Sequence, residues 1–177
     1  MKRCIATARY FTTAFLPVAD ISVNHRYVPS KMDPVFFPRL TKVSESFKKE
    51  ALKQIAAMGG KRGIRGINED LKKAYEITAS TLDLKDSPAC KEGKLCAFDN
   101  YNTEILLERG EEPRMKGSLK DANTCSDAFI LQYYEEPDEK KAAFGHDLTL
   151  EDWTQIARIK DVYGDVLFAA PIVAVNV

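Results

Sequence analysis

Residues 122–136, Ala-Asn-Thr-Cys-Ser-Asp-Ala-Phe-Ile-Leu-Gln-Tyr-Tyr-Glu-Glu, decide the fold class. Ala122, Cys125, Phe129, Leu131, Gln132 and Tyr133 recur at helical spacing, which predicts a largely buried helix starting after Asp121 and ending near Pro137. A second helix is expected from about Leu150 through Trp153, Ile156, Ile159, Tyr163 and Leu167. Upstream, residues 3–15 place Ile5, Ala8, Phe11, Phe15 and Leu16 on a helical stripe that Pro17 stops. Ser44 to Met58 reads as a helix with Phe47, Leu52, Ile55 and Met58 inward and Gly59-Gly60 as its stop. Asn68 is placed to cap the next helix, with Leu71, Tyr75, Ile77 and Thr78 on one side.

Outside these periodic runs the pattern weakens. DISVNHRYV (residues 20–28) alternates in a β-like way, and SKMDPVFFPRL (30–40) is broken by prolines into irregular chain pinned by aromatics. SPACKEGKLCAFDN (87–100) reads as loop, and AAPIVAVNV (169–177) as a β-like apolar run. The sum is a mainly α fold of about four to six helices with one or two short strands, in a single domain over residues 1–177. Both ends read as cut from something larger.

Composition narrows the function classes. With 45% hydrophobic residues in 177 there is material for one real core. Lysine plus arginine, 26, equals aspartate plus glutamate, 26, and the charges are interspersed, so nothing steers the chain toward nucleic acid. No window is long and apolar enough to span a membrane, and the first twenty residues carry no export-signal pattern. HExxH, GxxxxGK, GxSxG, CxxC and GxGxxG are all missing, which removes the usual anchors for a metal, phosphate-loop, hydrolase-elbow or dinucleotide reading. GGKRGIRG (59–66) offers glycines and cations but lacks the Ser or Thr and the strand of a phosphate loop, and reads as a solvent-facing turn. Cys4 and Cys125 fall in apolar helical patterns and are expected to be small buried hydrophobes. Cys90 and Cys96, with five residues including Gly93 between them, either close a small disulfide ring or remain two free thiols.

GHDLT (145–149) holds one of only two histidines. Thr149 followed by Glu151 and Asp152 is a helix cap with acids in the first turn, so His146 is expected in the loop before a helix. His25, in VNHRY, is equally isolated.

Several stretches resemble one family in order along nearly the whole chain. RCIATARYFTTAFLP (3–17), PVADISVNHRY (17–27), MDPVFFPRL (32–40), GSLKDANTCSDAFILQYYE (117–135) and FGHDLTLEDWTQIARIKDVYGDVLFAAP (144–171) are similar to segments of the histidine acid phosphatases, the group that contains bacterial phytases and glucose-1-phosphatases. That resemblance implies a phosphomonoester hydrolase working without metal or other cofactor. In it a histidine of an Arg-His-Gly-x-Arg-x-Pro motif forms a phosphohistidine, and the aspartate of a later His-Asp pair protonates the leaving alcohol. This chain has no Arg-His-Gly sequence. It matches mainly the family's helical insertion, or lid, domain, and GHDLT precedes the Trp153 helix whereas the family's catalytic pair lies well beyond it.

By the resemblance, Arg3 matches the arginine that grips the transferring phosphoryl oxygens, and Asp127 an acidic residue facing substrate from the lid. Lys160 and Gly164 stand where relatives often carry a histidine and an aromatic facing the pocket, and Cys90 and Cys96 where relatives close a short disulfide. The implied partners are a phosphomonoester and a catalytic domain missing from this chain, with self-association through exposed apolar faces as a further expectation. The implied location is the periplasm or the outside of the cell. The isolated chain is expected to be inactive; the alternative is a non-catalytic helical binding module or a catalytically dead remnant.

Overall fold

The computed structural model describes residues 2–24, 39–40 and 42–170, the side chains of Lys2 and Arg3 excepted. The chain divides into two compact units, Met1–Arg39 and Leu40–Val177.

In the first unit, α1 (Lys2–Phe15) forms where the helix is expected, but Phe11, Phe15 and Leu16 of the expected stripe are exposed. Phe11 and Phe15, one turn apart, stack with ring centroids at 5.5 Å. Cys4 is exposed, contrary to the buried role expected from its pattern. It lies about 100° around the helix from Ile5, off the partly buried line of Ile5, Ala8 and Thr12. Asp20–Asn24 forms no strand, and the rest of that alternating run, with nearly all of the proline-rich stretch, lies outside the described residues. The terminal run is described only as far as Ala170.

The second unit is helical around one small hairpin. Its α-helices are α2 (Glu45–Met58), α3 (Ile64–Asp70), α4 (Lys72–Thr81), α5 (Pro88–Lys91), α6 (Ser118–Glu135), α7 (Glu139–Ala142) and α8 (Leu150–Gly164). One turn of 3-10 helix at Leu84–Asp86 follows α4, and α8 runs on through a π-helical segment, Asp165–Ala169. Strands β1 (Thr103–Leu106) and β2 (Arg114–Gly117) pair antiparallel, with Thr103 opposite Gly117 and Ile105 opposite Met115.

Sequence chemistry accounts for most of the boundaries. The Ser44 hydroxyl accepts from the Phe47 N–H to start α2, and Gly59 ends it. Ser87 caps α5 in the same way, with Pro88 at the first helical position, so the stretch read as loop contains one helical turn. The Cys90–Cys96 disulfide closes that turn onto the following chain.

The core joins α2, α3, α4, α6 and α8 through Ile55, Ile67, Leu71, Tyr75, Leu119 and Ile159, with Phe98 and Met115 closing it from the loop and hairpin. Tyr75 and Phe98 meet with ring centroids 5.8 Å apart. Two helices bury a different line from the one expected. In α2 Ala51 and Ile55 are buried while Leu52 and Met58 are exposed, and in α6 Ser118, Leu119, Ala122, Asn123, Ser126 and Phe129 are buried while Leu131 and Tyr133 are exposed. Small residues lie at these seams because α6 and α8 approach closely: the Ser126 hydroxyl donates to the Ile156 carbonyl at 2.6 Å across them. Asn68 does not cap a helix. It lies buried inside α3, where its side chain binds backbone and two neighbouring elements.

Candidate functional site

Two of the residues singled out in the sequence come together. Asp127 on α6 and Lys160 on α8, thirty-three positions apart, form an ion pair across the helix seam. The pair is half open to solvent, with side-chain exposures of 41% and 53%, so it can meet a ligand without first being uncovered. Phe129 on α6 and Ile156 on α8 are buried, and the Ser126–Ile156 bond ties the two helices together.

Two more polar groups belong to this seam. Tyr163, one turn beyond Lys160, is half-buried, and burial first and the Asp127 carboxylate second push its phenol above the usual tyrosine range. It is therefore a neutral O–H at physiological pH, available as donor or acceptor. Asn123, one turn before Asp127, is buried, and its Oδ1 has no hydrogen-bond partner among the described residues. Sequence reading missed both. The signal was there in the spacing, Asn123 at i−4 from Asp127 and Tyr163 at i+3 from Lys160, and becomes visible only once the two helices are known to face each other.

The arrangement suits recognition. An ammonium, a carboxylate and a neutral phenol offer donors and acceptors to phosphate or hydroxyl groups, and none of the three is an activated nucleophile. Beyond the pair, Trp153 on α8 packs on Tyr133 of α6 with ring centroids at 4.9 Å, and Leu131 and Tyr134 stand exposed on the same end of α6. Arg3 lies in the first turn of α1, in the other compact unit.

The remaining candidates resolve into structural roles. His146 sits in the loop before α8, its Nε2 at 3.9 Å from Asp83, while Asp147 pairs with Lys140 at 3.0 Å. Thr149 and Asp152 form a full capping box: the Thr149 hydroxyl accepts from the Asp152 N–H, and the Asp152 carboxylate accepts from the Thr149 N–H at 2.9 Å. Those bonds lower the Asp152 pKa, so the box is complete above the ordinary carboxylate range and weakens as pH falls through it. Thr149→Ala is accordingly expected to cost about 1 kcal/mol, a fall of roughly 2–4 °C in Tm, and His146→Ala less than about 0.5 kcal/mol. Thermal denaturation of the two variants side by side checks this; the reverse order would return the segment to the histidine.

In GGKRGIRG, Arg62 is paired with Glu69 and Asp70, and Arg65 with Glu69 at 2.8 Å, so two of its three cations are already engaged. Cys125 is half-buried on α6, with its thiol pKa raised by burial. Among the described residues no helix is long and apolar enough to cross a membrane, and no group of three or more His, Cys, Asp and Glu side chains converges as a metal would require.

No family model matches the chain. It is similar to the glucose-1-phosphatase of Providencia rettgeri, 38% identical over 177 residues, and to that of Salmonella typhimurium, 35% identical over the same length. Both alignments cover 100% of this chain and 41% of the relative, so the chain spans about two fifths of the length of the curated relatives it matches. Among solved structures it superposes on the phytase from Citrobacter braakii with a TM-score of 0.74, at 17% identity over 97% of this chain and 42% of that one. It also superposes on the Hafnia alvei phytase in complex with tartrate with a TM-score of 0.69, at 20% identity over 90% of this chain and 39% of that one. At these identities the structural likeness speaks for the fold.

Proposed function

We propose, from the homology of this chain to glucose-1-phosphatase and phytase in the histidine acid phosphatase superfamily, that it provides the substrate-covering helical face of a phosphomonoester hydrolase. The observation that carries this reading is the solvent-open Asp127–Lys160 pair across α6 and α8, within a chain aligned to glucose-1-phosphatases from end to end. In this reading Asp127 and Lys160 bind the alcohol portion of the substrate. Arg3 grips the transferring phosphoryl oxygens with a fixed fork of donors, where charge builds up in the transition state.

The chemical step is a covalent one, through a phosphohistidine, with an aspartate returning a proton to the leaving alcohol. The sequence has no Arg-His-Gly, and its one His-Asp pair, His146-Asp147, lies before α8 rather than beyond it, so in this reading the partner in catalysis is a domain that carries both motifs. The Cys90–Cys96 disulfide favours a periplasmic or secreted location. A second reading, a non-catalytic module that binds another protein, draws on the exposed Leu131, Tyr134, Phe144 and Leu150. Those same residues would also serve self-association.

Two measurements separate the readings. The 177-residue polypeptide alone is expected to give no turnover of glucose 1-phosphate or an aryl phosphate above background; turnover abolished by Arg3→Ala would overturn the division of labour. A chimera in which this chain replaces the aligned two fifths of the Providencia rettgeri enzyme is expected to hydrolyse glucose 1-phosphate. In that chimera Asp127→Ala with Lys160→Ala should raise KM about tenfold and leave kcat within about threefold, the mark of lost substrate binding. A folded chimera without turnover would favour the binding module.

A further inference from the structure

Beside the Asp127–Lys160 pair the seam between α6 and α8 is open. Tyr133 meets Trp153 and Asp127 meets Lys160, so the two helices run antiparallel and each turn of one faces a fixed turn of the other. Gly164 stands one turn beyond Lys160 on the same side of α8 and is partly buried. The same pairing of turns places it across from Asn123 and Thr124 of α6. Yet among the described residues no atom lies within 4 Å of where its Cβ would be. Asn123 is buried, 6% exposed, and the Thr124 hydroxyl is engaged by the Lys120 ammonium at 2.6 Å, so neither closes the gap. The glycine therefore leaves a notch next to the ion pair, in space that a larger residue would fill.

The surroundings of the notch are polar on two sides and apolar at one end. Lys160 and Asp127 lie on one side, and Lys120 and Thr124 on α6 supply further donors and acceptors. Asp165, next to the glycine, adds an exposed carboxylate. Four residues beyond Gly164, Phe168 is 44% exposed, a ring face with nothing over it among the described residues. Lys160 and Phe168 are eight residues apart, about 12 Å along a helix axis, which is longer than one sugar ring and suits two. A ligand matched to this lining has hydroxyls around its rim and an apolar C–H face.

We propose that Gly164 determines specificity, its notch admitting the second ring of a phosphorylated disaccharide whose first ring lies at Asp127 and Lys160. The second ring's hydroxyls meet Lys120 and Thr124, and its C–H face meets Phe168. This rests on the reading of the seam as a substrate face and adds the class of alcohol that the face accepts. A bulky side chain at position 164 would occupy the second ring's place and leave room for one ring only.

The 177-residue polypeptide titrated with maltose 1-phosphate and, separately, with glucose 1-phosphate, followed by NMR chemical-shift changes, tests it. Maltose 1-phosphate is expected to bind at least about fivefold more tightly. Gly164→Phe should abolish that preference, whereas Gly164→Ala, which adds one methyl group to the open space, should keep most of it. Equal affinity for the two phosphates in the wild type, or a preference that survives Gly164→Phe, would overturn the proposal. If Gly164→Phe does not fold, Gly164→Leu is read by the same titration and must lower the ratio of affinities. Loss of the preference with a chimera that still hydrolyses glucose 1-phosphate would sink the notch alone, and a folded chimera that turns over neither phosphate would sink the substrate face with it.

Discussion

Gly66→Ala is expected to cost about 3 kcal/mol of folding stability, the upper end of the range for overpacking a closed contact, and to lower Tm by roughly 6–12 °C. Gly66 lies buried in α3, and a Cβ there would stand 2.2 Å from the Gly59 carbonyl oxygen and 3.0 Å from its carbon. Both are backbone atoms, so no side chain can swing away. Gly59 is held as tightly in return, since a Cβ on it would stand 1.7 Å from the Gly63 oxygen. Gly59 and Gly66 of GGKRGIRG are thus needed where the end of α2 crosses the start of α3 at backbone distance. Gly164 is the control: it is helical, with φ −62° and no atom within 4 Å of an added Cβ. Gly164→Ala is expected to raise stability by about 0.5–1 kcal/mol through the lost backbone freedom of the unfolded chain. Thermal and urea denaturation of both variants read the contrast, and a Gly66→Ala protein melting with the wild type would show that the crossing is loose.

The same segment marks how far the sequence could be read. Helices announce themselves through period, caps and stops, and α1, α2 and α8 fall where Pro17, Ser44, Gly59 and Thr149 put them, whereas α6 begins at Ser118, a turn before the start expected after Asp121, with no side-chain cap to mark it. Which face of a helix is buried is a different question, decided by the neighbour. Large side chains drew the expected stripe of α2 through Leu52 and Met58, whereas the neighbour accepts the small Ala51 beside Ile55. The hairpin escaped notice because its strands are four residues each, and β2, with Arg114 and Lys116 on either side of its one apolar residue, Met115, comes from a run that looks like loop. Of the candidate site, Asp127 and Lys160 came from likeness to a family, not from spacing, because no rule of periodicity relates positions on two helices whose packing is unknown. Once the packing is given, Tyr163 and Asn123 follow from the helix repeat alone.

Asn68 is the sharpest case of a residue whose chemistry was legible and whose place was not, and Asn68→Ala is expected to cost about 3 kcal/mol or more. Its Nδ2 donates to the Ile64 carbonyl at 3.1 Å and to the Thr103 hydroxyl at 3.0 Å, and its Oδ1 accepts from the Tyr75 hydroxyl at 2.9 Å. One fully buried amide therefore joins α3, α4 and β1, and removing it leaves the Tyr75 hydroxyl, itself buried, without an acceptor. Asn68→Asp keeps the acceptor but buries a charge or a proton where the amide donated twice, and should be no better tolerated. The hub also predicts a pH limit. Burial, with a smaller contribution from Tyr101, raises the Tyr75 pKa well above the tyrosine range. A raised folded-state pKa means that the stabilisation is complete below the unfolded value of about 10 and is lost progressively as pH rises beyond it. Denaturant titrations at pH 8 and above 10 should show stability falling over that interval in the wild type. In Tyr75→Phe, which cannot ionise, the fall should be smaller. An equal fall in both would assign alkaline sensitivity to other groups and leave the Asn68 bond as an ordinary buried contact.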